Sequence, residues 1–242
     1  MTSLPRALLL DLDDTILDIS GSADVCWRTL CAECAPSLGL GAELLTEEIV
    51  RARNAFWRDP ARLNRWHLDV NGATAHILTE VFETLGLANT AAASDLAEVF
   101  RNRRNDFLEP FPGALDAVAQ LHATGTRLAL LTNGATVWQR AKIERYALAQ
   151  HFECILIEEE FGVGKPDERI FKAALEALGV KPSEAWMVGD NLEWDVAGAQ
   201  RVGVHGIWMD HRSKGLAEDS PIKPDRIISR LSDLVPIATA HR

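Results

Sequence analysis

The sequence predicts an α/β protein: a doubly wound parallel sheet interrupted after its first strand by an inserted all-helical domain. Three observations predict it. Beyond residue 108, short apolar runs alternate with segments whose apolar residues recur every three or four positions, and strict strand–helix alternation calls for crossover units and a parallel sheet. Residues from about 20 to 108 keep the helical period almost throughout. RALLLDLD, ahead of that block, is a further strand that belongs to the sheet of the later text.

RALLLDLD opens the order of elements. CWRTLCAECAPSLGL reads as a helix in which Cys31 and Cys34 are buried small hydrophobes. No second Cys/His pair follows their C-x-x-C at zinc spacing. TEEIVRARNAFWRD, NGATAHILTEVFETLGL and ASDLAEVFRNRRNDFL continue the helical block. Thr46, with Glu47 and Glu48 behind it, is expected to start the first of them by side-chain capping and the macrodipole. After the Pro/Gly punctuation of EPFPGA come helix ALDAVAQLHATG, strand RLALLTN, helix TVWQRAKIERYAL, strand ECILI, helix DERIFKAALEALGV, strand AWMVGD, helix LEWDVAGAQRVG and strand GIWMD. The resulting division is a core of residues 1–17 and 109–242 and a helical insertion of residues 18–108.

A chain of 242 residues that is 47% apolar can fill a sizeable core. A net charge of −10 argues against a nucleic-acid polymer as partner, because phosphate backbones are held by basic surfaces. ALLL is far too short for a signal-peptide core or a membrane span, so no membrane partner is expected. The four cysteines form no secreted disulfide framework in a chain of this size, which points to the cytoplasm. Oligomeric state is left open.

In such sheets ligands bind beyond the carboxyl ends of the strands. The residues just past those ends are Asp11, Asp13, Asp14 and Thr15; Thr132 and Asn133; Lys165; and Asp190 and Asp195. Each has a structural reading. Asp13 or Asp14 can cap a helix, Asn133-Gly134 can form a turn, Lys165-Pro166 can precede a helix, and Asp190-x-x-Glu193 has the form of a capping box. Their co-occurrence at one rim favours a functional reading. Period-two alternation sets Asp11 and Asp13 on one side of an extended chain, and with Asp190 at least three carboxylates converge. That arrangement needs a cation, and all-oxygen ligation suits Mg²⁺. Asp11 is then placed to attack phosphorus and form an aspartyl-phosphate, while Asp13 protonates the departing alkoxide and deprotonates the attacking water. Mg²⁺, Lys165, the Thr132 hydroxyl and the amides after it would neutralise the transferring oxygens. The partner so implied is a small-molecule phosphate ester.

DLDDT, LLTNG, GKP and GDNLEWD, in that order, resemble the four motifs of the haloacid dehalogenase superfamily, and the match covers nearly the whole chain. The resemblance implies a Rossmann-like core with an alpha-helical cap of the first class. It assigns Asp11 as nucleophile, Asp13 as acid/base, Thr132 and Asn133 as phosphate-binding residues, and Lys165 as the stabilising lysine. The metal falls to Asp190, Asp11 and the main-chain carbonyl of Asp13, with Asp195 supporting the metal water or the lysine. The core text is most similar to the subgroup containing N-acylneuraminate-9-phosphatase and pyrimidine nucleotidases. The expected activity is Mg²⁺-dependent hydrolysis of a sugar phosphate, nucleoside monophosphate or similar ester. Dehalogenation, phosphomutation and a receiver-like phospho-acceptor are the alternatives. Asp13 favours the phosphatase, since halide departure needs no acid.

Within this acidic chain, RARNAFWRDPARLNRWH concentrates Arg51, Arg53, Arg58, Arg62 and Arg65 beside Trp57 and Trp66. Two readings stand: a solvated basic helix face with tryptophans in the insertion's own core, or a DPARLN loop that turns arginine and tryptophan toward an anionic leaving group.

Overall fold

The computed structural model describes residues 4–66, 68–87 and 90–235. The chain divides into two compact units, Met1–Asp18 with Pro110–Arg242, and Ile19–Glu109.

The first unit opens with β1 (Ala7–Leu10), in which all four residues are buried. The second unit follows as α1 (Ile19–Cys34), α2 (Ala42–Arg58), α3 (Pro60–Trp66), α4 (Val70–Thr84) and α5 (Thr90–Arg103). The first unit resumes with α6 (Ala114–Ala123), β2 (Arg127–Thr132), α7 (Thr136–Arg145), β3 (Cys154–Ile157), α8 (Glu158–Phe161), α9 (Glu168–Leu178) and β4 (Ala185–Gly189). A π-turn (Leu192–Ala197), α10 (Gly198–Arg201), β5 (His205–Met209) and β6 (Arg226–Ile228) complete it.

The six strands lie in the order β3-β2-β1-β4-β5-β6, every pairing parallel. Continuous runs such as ALLL and RLALLT mark strands covered on both faces, the condition of a parallel sheet. One face packs Leu9, Ala129, Leu131 and Met187 against Ile170, Phe171, Ala174 and Leu178 of α9 and Ala199 of α10. Register then decides where the polar ends fall: Ala7–Leu10 aligns with Arg127–Leu130 on one side and Ala185–Val188 on the other. The ends of β2, β1 and β4 are therefore neighbours, and the chain leaves β1 in opposite directions along the sheet to reach them, the topology that opens a crevice at the strand ends.

The helical unit has its own core. Trp27 stacks on Phe100 at 3.9 Å, and Leu30, Leu45, Ile49, Phe56, Leu78 and Phe82 join them. Cys26 and Cys31 lie in the same cluster and Cys34 packs at its margin, so the C-x-x-C serves packing. The two connections to this unit meet inside the first: Leu17 pairs with Pro110, and the Phe111 amide donates to the Ile16 carbonyl at 3.0 Å. Among the described residues, no helix is long and apolar enough to cross a membrane.

Three local expectations are corrected. α2 starts at Ala42 behind Gly41, leaving Thr46 inside the helix with its hydroxyl bonded back to the Ala42 carbonyl at 2.8 Å. The cap after β4 is Asn191, whose side chain accepts from the Glu193 and Trp194 amides, not Asp190. β6 was not expected, because three residues with only Ile228 buried carry no readable period.

Leu9, fully buried at the centre of the sheet, should be costly to truncate. Leu9→Ala is expected to lower unfolding free energy by about 2–5 kcal/mol. Leu44→Ala, at a position 46% exposed in α2, should change it by roughly 0.5 kcal/mol or less; urea denaturation of both variants checks the contrast.

Candidate active site

β1 ends at Leu10, and the Asp11 amide still donates to the Val188 carbonyl at 3.0 Å. The chain then turns sharply: Ile16 and Leu17 amides both donate to the Leu12 carbonyl, and Asp14 takes a left-handed conformation with φ 55°, a state that Asp tolerates better than most residues. The Asp11 carboxylate is buried, accepting from the Thr15 hydroxyl at 2.9 Å and the Lys165 ammonium at 2.6 Å. Burial pushes its pKa up to about 7, against the opposing pull of Lys165.

Lys165 reaches Asp11 because the loop before α9 is fastened to the end of β2. The Asn133 side chain donates to the Lys165 carbonyl at 2.7 Å and accepts from the Lys165 amide at 2.8 Å. The Asn133 side chain is thereby engaged with the lysine's backbone. The Gly134 amide donates to Glu158 at 2.9 Å, and a Cβ at Gly164 would stand 2.6 Å from the Glu158 carboxyl carbon. Thr132 sits buried at the last position of β2.

From β4 come Asp190 and Asp195. The Asp195 carboxylate lies 2.7 Å from the Lys165 ammonium and accepts from the Asn191 amide at 3.0 Å. Gly189 is required here, since a Cβ would lie 2.1 Å from an Asp195 oxygen. Carboxylates on both sides hold Lys165 protonated, above its ordinary range. Burial, reinforced by the charges of Asp11 and Asp195, raises the Asp190 carboxyl well above the usual carboxylate value.

One oxygen each from Asp11, Asp190 and Asp195 falls within 4.8 Å of the others. Three carboxylates face one buried ammonium, so the group carries excess negative charge and offers only oxygen donors. That fits a hard divalent cation. The converging side chains differ from the expected set in one member: the Asp13 carboxylate turns instead to Lys142, 2.6 and 2.7 Å away, and to the Gln139 amide at 3.1 Å.

Lys142 and Gln139 were missed in the sequence. The available signal was two polar residues three apart on a helix with few apolar positions to define its buried face. Gln139 is buried, and its amide also donates to the Thr132 hydroxyl and the Asn133 carbonyl. Trp208, also missed, donates from its indole to the Asp190 carbonyl at 2.8 Å.

In the arginine-rich stretch of the helical unit the expected loop is replaced by a helix. DPARLN is no loop: Asp59 accepts from the Ala61 and Arg62 amides and starts α3. Arg62 is held by Glu80 through two bonds of 2.9 Å, Arg53 by Asp24 at 2.7 Å, and Arg51 by Glu48. Trp57 and Trp66 pack against the unit's own core.

Comparison with known proteins gives a consistent result. The family described as haloacid dehalogenase-like hydrolase matches residues 5–203. A phosphoserine phosphatase from Thermus thermophilus is 35% identical over 255 residues, covering 95% of this chain and 97% of the relative. A glyceraldehyde 3-phosphate phosphatase from Pyrococcus furiosus is 38% identical over 213 residues, covering 85% and 81%. Among solved structures, the magnesium-bound HAD-hydrolase YfnB from Bacillus subtilis has a TM-score of 0.75 at 22% identity and shares the fold over 96% of this chain and 97% of its own.

The raised carboxyls have a consequence for stability. Asp11 is nearer its ordinary value of 3.8 when unfolded and near 7 when folded, so folding binds its proton more tightly. The stability this proton contributes is fully present below the unfolded value and is lost as pH rises through about 7. A divalent cation, which competes with that proton, should recover it. The Tm gain on adding Mg²⁺ to EDTA-treated protein is therefore expected to be larger at pH 8 than at pH 5, by differential scanning fluorimetry; equal gains would speak against cation binding at these carboxylates.

Proposed function

The chain belongs to the haloacid dehalogenase-like hydrolase family, and on that premise we propose that it is a divalent-cation-dependent phosphatase acting through an aspartyl-phosphate on Asp11. The observation that carries this reading is the Asp11 carboxylate, buried at the end of the central strand with one oxygen on Thr15 and the other on Lys165. A nucleophile needs that restraint, and its charge needs a neighbouring cation if an anionic phosphate is to approach.

In this mechanism an Asp11 oxygen bonds to phosphorus as the ester oxygen leaves with the bonding pair. Asp13 gives that oxygen its proton, then takes one from the water that attacks the acyl phosphate, releasing inorganic phosphate and restoring Asp11. The Lys165 ammonium and the Thr132 hydroxyl bind the transferring oxygens, and Asn133 keeps the Lys165 loop in place. The side chains of Asp11 and Asp190 and the main-chain carbonyl of Asp13 are the proposed holders of Mg²⁺, with Asp195 steadying the lysine. When bound, Mg²⁺ supplies the positive charge that phosphoryl-transfer catalysis mostly relies on.

The substrate class is a small phosphorylated metabolite such as a sugar phosphate or nucleoside monophosphate. The phosphoserine and glyceraldehyde 3-phosphate phosphatases among its relatives support that size. The sheet unit is assigned the chemistry and the helical unit the role of cap. Four free cysteines suit a reducing compartment such as the cytoplasm.

Release of inorganic phosphate from a panel of phosphorylated metabolites tests the proposal and separates a phosphatase from a mutase. Asp11→Asn is expected to reduce turnover by roughly a thousandfold or more with an unchanged circular dichroism spectrum; more than a tenth of wild-type activity would remove Asp11 from the role. EDTA should abolish turnover and Mg²⁺ should restore it, whereas undiminished activity in excess chelator would overturn the cation requirement.

A further inference from the structure

We propose that Lys142 and Gln139 are positioning residues for the acid/base group, a clamp on α7 that fixes the Asp13 carboxylate relative to the phosphate-binding end of β2. The inference rests on the phosphatase reading above and adds two residues to it.

Asp13 stands in a difficult place for a proton-transfer group. It lies one residue past Leu12 in a tight turn, and its side chain is 33% exposed. Burial alone does not fix it, and a carboxylate free to sample rotamers spends little time where a leaving oxygen or a water needs it. Its restraint comes from 129 residues away in sequence. The Lys142 ammonium, only 13% exposed, contacts both carboxylate oxygens at 2.7 and 2.6 Å. Two short charge-assisted bonds to one partner fix the plane of the carboxylate as well as its position.

Gln139 ties that clamp to the rest of the site. Its Nε2 reaches Asp13 Oδ2 at 3.1 Å, the Asn133 carbonyl at 2.8 Å and the Thr132 hydroxyl. A buried amide placed among an acid/base candidate, a phosphate-binding hydroxyl and a backbone carbonyl relates all three distances to one another. A helix makes this possible: residues three apart share a face, and α7 begins four residues after β2 ends. The strand that delivers Thr132 and the helix that delivers the clamp are thus one rigid strand–turn–helix piece, so Asp13 is held against the same piece that would hold the phosphoryl group. Lys142 is a cation directed inward, and the carboxylate it meets is that of Asp13.

The test uses leaving-group dependence, which a merely structural role would not move. Lys142→Met, Lys142→Arg, Gln139→Leu and Asp13→Asn are compared on p-nitrophenyl phosphate, whose departing oxygen needs little protonation, and on an unactivated alkyl phosphate that the wild type hydrolyses. In kcat/KM, which reports the steps up to departure of the leaving group and excludes hydrolysis of the acyl phosphate, Lys142→Met should lose about tenfold or more on the alkyl ester while staying within about threefold on the aryl ester, the same selectivity as Asp13→Asn at smaller amplitude. Lys142→Arg should recover most of the loss, and Lys142→Met should add little in an Asp13→Asn background, as expected for residues acting as one unit. Gln139→Leu should show the same selectivity, which keeps the test available if a lysine variant folds poorly. Equal losses in kcat/KM on both esters, or full additivity with Asp13→Asn, would overturn the clamp. If Asp11→Asn remains active or Asp13→Asn shows no leaving-group preference in kcat/KM, the phosphatase mechanism itself fails, whatever the lysine does.

Discussion

A buried ammonium holds the carboxyl edge of this sheet together. Lys165 lies between Asp11 and Asp195 at 2.6 and 2.7 Å, itself almost fully buried. Burying an ion is expensive unless its partners are close and well aligned, and removing one member of such a set leaves uncompensated charge in a low dielectric. The surrounding backbone is organised around that condition. Asn133 grips the lysine's peptide on both sides, Gly189 makes room for Asp195, and the Asn191 amide takes Asp195's second oxygen. The ends of three separate strands are thereby tied to one residue.

The same balance explains why the site fits a cation. Lys165 is shared between Asp11 and Asp195, and burial, with the charges on those two acids, raises the Asp190 carboxyl against the pull of the lysine. The sheet unit is thus locally frustrated at the point where chemistry is proposed, in a protein whose core is otherwise closely filled by aliphatic side chains. The Asp13 carboxylate is paired instead with Lys142 of α7. Two acids two residues apart therefore have different electrostatic partners: Asp11 belongs to the Lys165 group and Asp13 to the α7 group.

Much of this was legible from the sequence, for a physical reason. Strands buried on both faces must be continuous apolar runs, so ALLL, RLALLT and AWMVG could be read directly, and the polar residues after them had to be the rim. What was not legible depends on turns and on pairings distant in sequence. Asp13 is not in the group of carboxylates that converge with Asp11. The π-turn after Asn191 sets Asp195 among the converging carboxylates in its stead. Lys142 and Gln139 meet Asp13 across 129 and 126 residues, a relation no local period encodes. In the helical unit, DPARLN looked like a break because Pro punctuates, yet Asp59 caps the helix that begins there, and Arg62 spends its charge on Glu80.

The pairing of Leu17 with Pro110 and the bond from Phe111 to Ile16 bear on ancestry and engineering. They bring the exit from the first strand and the re-entry before α6 side by side, so the intervening ninety-odd residues depart and return at one point of the sheet unit. A segment with adjacent ends and its own aromatic core behaves as a cassette: its length and composition can vary without changing the closure of the strands. The sheet can thus keep one set of carboxylates and lysines through a lineage while the inserted helices diverge, and a graft of a foreign helical block has a single, already stitched seam to satisfy.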